Sequence, residues 1–302
     1  MSDFTPLGVL GVALGGALLV AWLEQLVAGY VPSPARTLRG ARAAFAEPLQ
    51  RPATYDAWLF HMAPGLLLLA AVTALATVPW TPDFRGIDLG AGAILFAGAV
   101  AYVTPAVFMA GWGAGSPAAV LGGFRFLALM LAYAMPLAMV ITAVAAPAES
   151  LRPAGIVAAQ HAVPMALVQP LAAVLWLPSV MAVCFLPPFD LPNAPGELGG
   201  GAFADYRGLE AGLITLAQRV LVVAVSGMTS ALFLSGWHGP LLPPAVWMAL
   251  KTIAVAVLIL WLGRRVPRFE VDRLLAFAWK VAIPLALLAI VYAGPLTLFF
   301  YR

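Results

Sequence analysis

Charged residues are scarce in this sequence, at 10% of its 302 residues, whereas soluble globular domains carry about 25%. Hydrophobic residues make up 63%. They form long continuous runs, unlike the alternating segments of roughly 10 residues that are typical of membrane β-barrels. A helix needs roughly 20 mostly apolar residues to span a bilayer, because its backbone amides must bond within the helix. The composition therefore excludes a soluble domain and predicts an all-α integral membrane protein, with residues 1–302 as a single polytopic membrane domain.

Cysteine and histidine are also scarce, with one and three copies. The lone Cys184 excludes an internal disulfide framework and a cysteine-rich metal site, and its apolar surroundings predict a buried thiol. The scattered histidines do not have metal-ligand spacing. The sequence also lacks GxSxG, a glycine-rich phosphate loop and a Cys/His arrangement. We therefore expect this chain to bind no metal or cofactor and not to be catalytic alone.

Apolar windows predict about eight transmembrane helices. Their approximate bounds are 6–28, 58–80, 89–110, 124–146, 163–186, 210–234, 244–263 and 276–300. The first run lacks a preceding basic region and a small-residue cleavage site, so we expect a retained helix rather than a signal peptide. The sequence shows no internal repeat, which weakens the case for a transporter built from inverted halves.

Basic residues alternate between the connections of these helices. The odd-numbered connections carry Arg36, Arg39, Arg42, Arg51, Arg125, Arg207, Arg264, Arg265, Arg268 and Arg273, and the even-numbered ones carry only Arg85 and Arg152. Because positive residues mark the cytoplasmic side, the odd connections are predicted to be cytoplasmic, with both termini on the other side of a bacterial or archaeal inner membrane. Topology then explains the basic pI of about 9.2, and we expect no nucleic-acid binding.

The first connection has its own pattern. Apolar residues from Ala35 to Leu49 recur at helical spacing with arginines between them. This pattern predicts a short amphipathic helix at the membrane surface, and the alternative is an irregular basic loop.

Few ionisable residues lie at membrane depth, where they usually mark function. They are Glu24, His61, Glu210, Arg219 and Lys251. An interfacial position is the alternative for the first three, and snorkelling to an interface is the alternative for Arg219 and Lys251.

The fifth connection, 186–208, is rich in proline and glycine and carries Asp190, Glu197 and Asp205 among loops that otherwise favour arginine. Acidic residues in such a position favour contact with a partner protein or a polar cavity. A solvated, turn-rich loop is the alternative.

Short motifs occur in order along nearly the whole chain. They are Trp22-Leu23-Glu24; Gly111-Trp112 with Leu121-Gly122 and Arg125; Pro188-Phe189-Asp190 with Pro192; Glu197-Leu198; Asp205-Tyr206-Arg207-Gly208; Gly236-Trp237-His238-Gly239-Pro240; Trp247 to Thr252; Pro267-Arg268-Phe269; and Trp279-Lys280-Val281 with Pro284-Leu285. Together they resemble the H subunit, also called subunit 1, of proton-pumping NADH–quinone oxidoreductase, respiratory complex I. A homologous subunit occurs in membrane-bound hydrogenases.

The resemblance implies a subunit that joins the membrane arm to the peripheral redox arm. Its cytoplasmic loops would line the chamber that receives the quinone, which is a substrate of the whole complex, and buried glutamates would lead protons away. Carried onto this sequence, the candidate residues for the chamber and proton path are Glu24, Arg125, Asp190, Glu197, Asp205 and Lys251. The implied partners are iron–sulfur peripheral subunits, antiporter-like membrane subunits and the lipid bilayer.

The sequence departs from the family pattern at several acidic positions. Ala134, Asn193, Pro195 and Gln218 stand where the family has acids, Gln25 stands where it has arginine, and Arg219 follows Gln218. Since an arginine does not lose its proton in a protein, Arg219 would obstruct a relay of carboxylates. Our hypothesis is that the chain keeps the docking and scaffold role but has lost or rerouted part of the proton path.

Three other functions stay open at this point. The chain is alternatively the membrane anchor of a group 4 [NiFe]-hydrogenase or formate hydrogenlyase type of complex, a purely structural anchor, or a stand-alone transporter. The lack of repeats and the docking-type loop disfavour the transporter.

Overall fold

The computed structural model describes residues 6–300 except 49, 50, 53, 85 and 195, with side chains up to residue 295. Leu49, Arg85 and Pro195, named above, therefore lie outside the described residues. The helices are α1 (Pro6–Val27), α2 (Pro34–Ala46), α3 (Ala57–Ala76), α4 (Gly92–Ala101), α5 (Val103–Ala114), α6 (Pro117–Ala148), α7 (Pro153–Ala159), α8 (Met165–Val168), α9 (Pro170–Val183), α10 (Gly208–Phe233), α11 (Pro244–Arg265), α12 (Val271–Phe277) and α13 (Ile283–Phe300). A 3₁₀ turn (Gly201–Phe203) and a π-helical segment (Ala278–Ala282) complete the regular helical structure of this part of the chain.

Among the described residues, seven helical segments are long and apolar enough to cross a membrane. They are α1, α3, α4 with α5, α6, α10, α11, and α12 continued into α13. Each corresponds to one predicted span. The predicted all-α, multi-pass membrane fold is therefore confirmed.

The predicted span over 163–186 is the exception, because the chain breaks at Gln169. The backbone of Gln169 leaves the helical region, at φ −128° and ψ 67°. Pro170 follows, and a proline both lacks an N–H and disfavours a helical conformation at the preceding residue. The 14 residues of α9 then reach only about 21 Å, less than the roughly 30 Å of a bilayer core.

Two glutamine side chains bond the backbone around this break. Gln169 donates its Nε2 to the carbonyl of Ala143 at 2.8 Å. Gln160 donates its Nε2 to the carbonyl of Ala231 at 2.8 Å and accepts the backbone N–H groups of Met165 and Ser235, each at 3.0 Å. The carbonyl of Ala143 lacks a helical partner because Pro147, four residues on, has no N–H. Ala231 and Ser235 are at the end of α10. The two amides thus pair backbone groups of neighbouring helices, which an apolar environment requires.

α10 lies at the centre of the bundle. Residues 220–233 are buried without interruption, and α3, α1 and α11 pack around them. Glycines let neighbours approach closely, as at Gly227, where an added Cβ would lie 2.9 Å from Val78.

The predicted amphipathic helix is present as α2 and ends at Ala46. Its first turn is held to α1 by Gln25, which donates to Thr37 Oγ1 at 2.9 Å. Its last turn places the ring of Phe45 over Gly212 of α10, where a Cβ would come within 2.6 Å of that ring. We call the end of the bundle that carries α2 and the loops 184–207 and 266–270 the basic face.

Candidate functional site

The loop 184–207 is fastened to the basic face by three of its predicted acidic residues. Each side chain has a different partner, on α6, on the turn before it, or on the loop after α11. The contacts are Arg125 Nη1 to Glu197 Oε2 at 2.6 Å, Arg268 Nη2 to Asp190 Oδ2 at 2.8 Å, and Ser116 Oγ to Asp205 Oδ2 at 2.9 Å. Asp190, Glu197 and Asp205 therefore belong to one loop, and Arg125 contacts that loop from α6 through Glu197.

Asp190 is the most enclosed of these acids, with 6% of the residue exposed. Burial raises the pKa of its carboxyl group, and the attraction of Arg268 opposes this rise only in part. The loop thus holds a carboxyl group that gains a proton more readily than an exposed aspartate.

Tyr206 anchors the end of the loop in the bundle. Its hydroxyl lies 3.2 Å from the carbonyl of Phe60 on α3 and 3.3 Å from the carbonyl of Ala110 on α5. Its ring stacks on that of Phe60 with centroids 4.1 Å apart. Burial, and then the charges of Glu210 and Asp205, raise the pKa of this phenol, so it stays a hydrogen-bond donor.

A second polar site lies between α1, α2 and α10. Glu24 meets Arg219 there, with Oε2 and Nη2 3.0 Å apart and side chains 35% and 24% exposed. The backbone carbonyl of Glu24 also accepts from Arg264 at 3.3 Å. The pair borders a cavity of about 270 Å³ whose wall includes Tyr30 and Arg36.

This geometry places Arg219, which departs from the family pattern, against Glu24, an acid that the chain retains. Glu24 is one of the four acids that the resemblance assigns to the chamber and proton path. An arginine keeps its charge in a protein. The carboxylate of Glu24 is therefore paired with a guanidinium group that cannot take part in proton transfer.

Lys251 lies apart from the other five candidate residues. Its ammonium donates to the carbonyls of Gly236 at 2.9 Å and His238 at 2.7 Å, in the loop between α10 and α11. That loop is at the end of the bundle opposite Arg264 and Glu24. The ring of Trp247 lies 5.6 Å from the same ammonium. Lys251 thus ties the start of α11 to a loop on the opposite face.

Two polar partnerships were missed by sequence reasoning. His61 Nδ1 lies 2.6 Å from Glu210 Oε1, joining the starts of α3 and α10. These residues are 149 positions apart, so no local spacing points to the pair. Arg268 was counted only as a topology signal, although it lies within the matched motif Pro267-Arg268-Phe269, which could have identified it.

Comparison with known proteins decides the family. A sequence profile described as NADH dehydrogenase matches residues 40–294. The chain belongs to the NADH dehydrogenase family. It is 35% identical over 253 residues to an H subunit of NADH-quinone oxidoreductase from Geobacter metallireducens, covering 81% of this chain and 77% of that protein. It is 37% identical over 245 residues to an H subunit of the same enzyme from Syntrophobacter fumaroxidans, covering 78% and 74%.

The fold has a solved counterpart in an archaeal respiratory membrane complex, the membrane-bound sulfane sulfur reductase. The two chains align with a TM-score of 0.83 at 23% identity, covering 95% of this chain and 97% of the other. As a member of the NADH dehydrogenase family, the chain is a membrane subunit of a complex I-like assembly and has partner subunits.

Proposed function

We propose that this chain attaches the peripheral redox arm of a complex I-like oxidoreductase to its membrane arm. The observation that carries the proposal is the fastened loop 184–207, whose three acids are each held by a partner on the basic face. A long loop that is ordered in advance presents a defined surface and loses less conformational entropy on docking. Iron–sulfur peripheral subunits would bind over this loop, and antiporter-like subunits would bind within the membrane.

The basic face is cytoplasmic in this proposal, and both termini lie on the other side of a bacterial or archaeal inner membrane. The arginines of α2 and of the loop after α11 support this orientation, because basic residues are retained on the cytoplasmic side.

The cavity between α1, α2 and α10 is our candidate for the quinone-chamber wall. It is bordered by Glu24, Tyr30 and Arg36 and lies on the same face as the loop 184–207, which we call the docking loop. Arg219 holds the carboxylate of Glu24 within this wall. The chain would thus keep the scaffold around the acceptor while the proton route through α10 is lost or moved.

A second candidate is the membrane anchor of a hydrogenase-like complex whose acceptor is not a quinone. The Arg219–Glu24 pair favours it, because a charged pair in the cavity is costly for a neutral ring to displace. The solved sulfane sulfur reductase shares the fold, which shows that this architecture serves a complex named for another acceptor.

Affinity purification of the tagged chain in mild detergent, with mass spectrometry of its companions, tests the proposal. We expect iron–sulfur and antiporter-like subunits. Nickel in a copurified peripheral subunit would favour the second candidate. A preparation without nickel but with a bound quinone would favour the first. A chain that purifies alone and monodisperse would overturn both.

Charge reversal at the docking loop sharpens the test. Arg125→Glu is expected to reduce the recovered peripheral subunits at least about tenfold, and Arg125→Glu with Glu197→Arg is expected to restore them, since contacting charges couple. Arg152→Glu is the matched control. Arg152 forms an ion pair with Asp88, with Nε and Oδ1 3.5 Å apart, and this pair does not involve the docking loop. Equal recovery from Arg125→Glu and Arg152→Glu would contradict docking through this loop.

A further inference from the structure

A second, larger cavity is lined by different residues from the cavity beside Glu24. It has a volume of about 580 Å³ and lies between α6, α9, α12 and the π-helical segment. This volume is in the range of sites that enclose a whole small ligand, about 300–1,000 Å³. Its mouth shares Phe189 and Arg268 with the loop 184–207 and its contacts, but most of its lining belongs to α6, α9 and α12.

The inner wall of this cavity is apolar. Leu129, Leu175 and Phe277 are among its lining residues. The hydroxyl of Tyr133 is already bonded to Thr104 at 3.1 Å, and that of Ser179 to the carbonyl of Leu175 at 2.9 Å. The interior therefore offers its surface to a hydrocarbon chain rather than to a polar group.

The mouth of the cavity is aromatic and charged. Phe189 and Phe269 stack there with centroids 5.6 Å apart. Arg268 and Arg273 line the same opening, and their side chains are 50% and 80% exposed, although each has a carboxylate partner. An amphiphile with its chain in the cavity would hold its head beside these two cations.

The charge around the mouth selects the kind of head group. The segment 267–280 carries three basic side chains, Arg268, Arg273 and Lys280, against two acidic ones, Glu270 and Asp272, which is a net charge of +1. It lies on the basic face, whose arginines favour an anionic head group over a neutral quinone ring. The exposed guanidinium groups also provide the donors that match phosphate oxygens.

We propose that this cavity binds one anionic phospholipid. An acyl chain lies between α6, α9 and the π-helical segment, and the phosphate lies against Arg268 and Arg273. A π-helical segment widens the helix locally and is frequent at functional sites, which fits a wall shaped around a ligand. The site is independent of which acceptor the host complex uses.

Native mass spectrometry of the tagged full chain, purified with the subunits that accompany it, tests this site. After lipid depletion, long-chain phosphatidylglycerol is added in parallel with phosphatidylcholine of the same chain length, dihexanoyl phosphatidylglycerol and inorganic phosphate. We expect one long-chain phosphatidylglycerol per chain, with at least about tenfold weaker retention of the other lipids. Millimolar inorganic phosphate should not displace it, because the acyl chain supplies much of the affinity.

Two cavity-filling variants, Ala278→Leu on the π-helical segment and Ala182→Leu on α9, are each expected to reduce occupancy at least about tenfold, because the added side chain takes up space that the acyl chain needs. Arg273→Gln should narrow the preference for phosphatidylglycerol over phosphatidylcholine severalfold. Ala101→Leu at an exposed position and Arg39→Gln on α2 are the matched controls and should leave binding unchanged.

Several results would overturn the proposal. They are unchanged lipid occupancy in a monodisperse cavity-filling variant, equal retention of phosphatidylcholine, and a copurified quinone that these variants lose while phosphatidylglycerol stays. A chain released from its assembly without any bound lipid would also overturn it and would indicate that a partner subunit fills the cavity.

Discussion

Arg219 is the residue whose contact differs most from what the family resemblance implies. It forms an interhelical ion pair with Glu24, and both side chains are largely withdrawn from solvent. Removing one member leaves the other charge poorly compensated, and removing both does not. We expect Arg219→Gln to lower the melting temperature of the detergent-solubilised chain, and Arg219→Gln with Glu24→Gln to recover part of the loss.

The coupling between the two positions is expected to be on the order of 1 kcal/mol, allowing for the partial exposure of both groups. Arg36→Gln, on the same cavity wall, serves as the control and should show no coupling to Glu24→Gln. Additive effects of Arg219→Gln and Glu24→Gln on the melting temperature would contradict an energetic role for the pair.

His238 provides a pH prediction on the opposite face. Burial, then the nearby His161 and Lys251, hold the pKa of this histidine below its ordinary value of 6.5, while a hydrogen bond to the Val157 backbone raises it in part. A depressed pKa means that the folded chain favours the neutral ring. The neutral ring of His238 therefore stabilises the folded chain above pH 6.5, and this contribution is lost as the pH falls through the pKa of the folded state.

We therefore expect the melting temperature to fall on acidification from pH 7.5 to pH 5.5, about one unit either side of the ordinary histidine pKa, and His238→Gln to flatten this dependence. His61→Gln removes a histidine from the basic face and serves as the comparison. A slope that His238→Gln leaves unchanged would assign the acid sensitivity elsewhere.

At the scale of elements, the position of the end of α2 depends on the close approach of Phe45 to Gly212 of α10. Phe45 lies over Gly212, where an added Cβ would fall 2.6 Å from the ring, whereas Gly40 on the same helix faces open space. Gly212→Leu should displace the end of α2, and Gly40→Ala should stabilise it by about 0.5–1 kcal/mol through helix propensity.

Trypsin provides the measurement, because α2 contains Arg36, Arg39 and Arg42. We expect cleavage within α2 to become about tenfold faster in Gly212→Leu, which corresponds to roughly 1.4 kcal/mol in local opening. Cleavage in Gly40→Ala should be as slow as in the parent chain or slower. Protection in Gly212→Leu would show that Phe45 adapts without moving the helix.

Helices were easier to predict than contacts. The long apolar runs locate the seven continuous spans and the arginine pattern locates α2, because these are local signals. The break at Gln169 was missed, since a proline within an apolar run is also compatible with a kinked helix. The partners of Asp190 and Glu210 lie far away in sequence, so only the packed bundle defines them.

The whole molecule has two chemically different ends, and the orientation proposal follows from them. Two single substitutions test the topology. Glu47→Cys places a cysteine on the basic face, and Leu241→Cys places one at a fully exposed position on the opposite face. Cys184 is buried and should stay unlabelled. In intact cells, an impermeant maleimide should label Leu241→Cys but not Glu47→Cys, because basic loops are retained inside.

Permeabilised cells are the control, since both cysteines should then react. Labelling of Glu47→Cys in intact cells would reverse the proposed orientation and remove the docking loop from the cytoplasm.

The contacts of Gln160 have a consequence for inheritance. One amide bonds the backbone at Met165, and at Ala231 and Ser235 at the end of α10, so it joins two stretches of chain that are far apart in sequence. A replacement that cannot make these bonds would leave buried peptide groups unpaired, and cells degrade chains that misfold in this way. Harmful alleles at this codon should therefore appear as low abundance of the whole assembly, with normal turnover in the few copies that escape quality control.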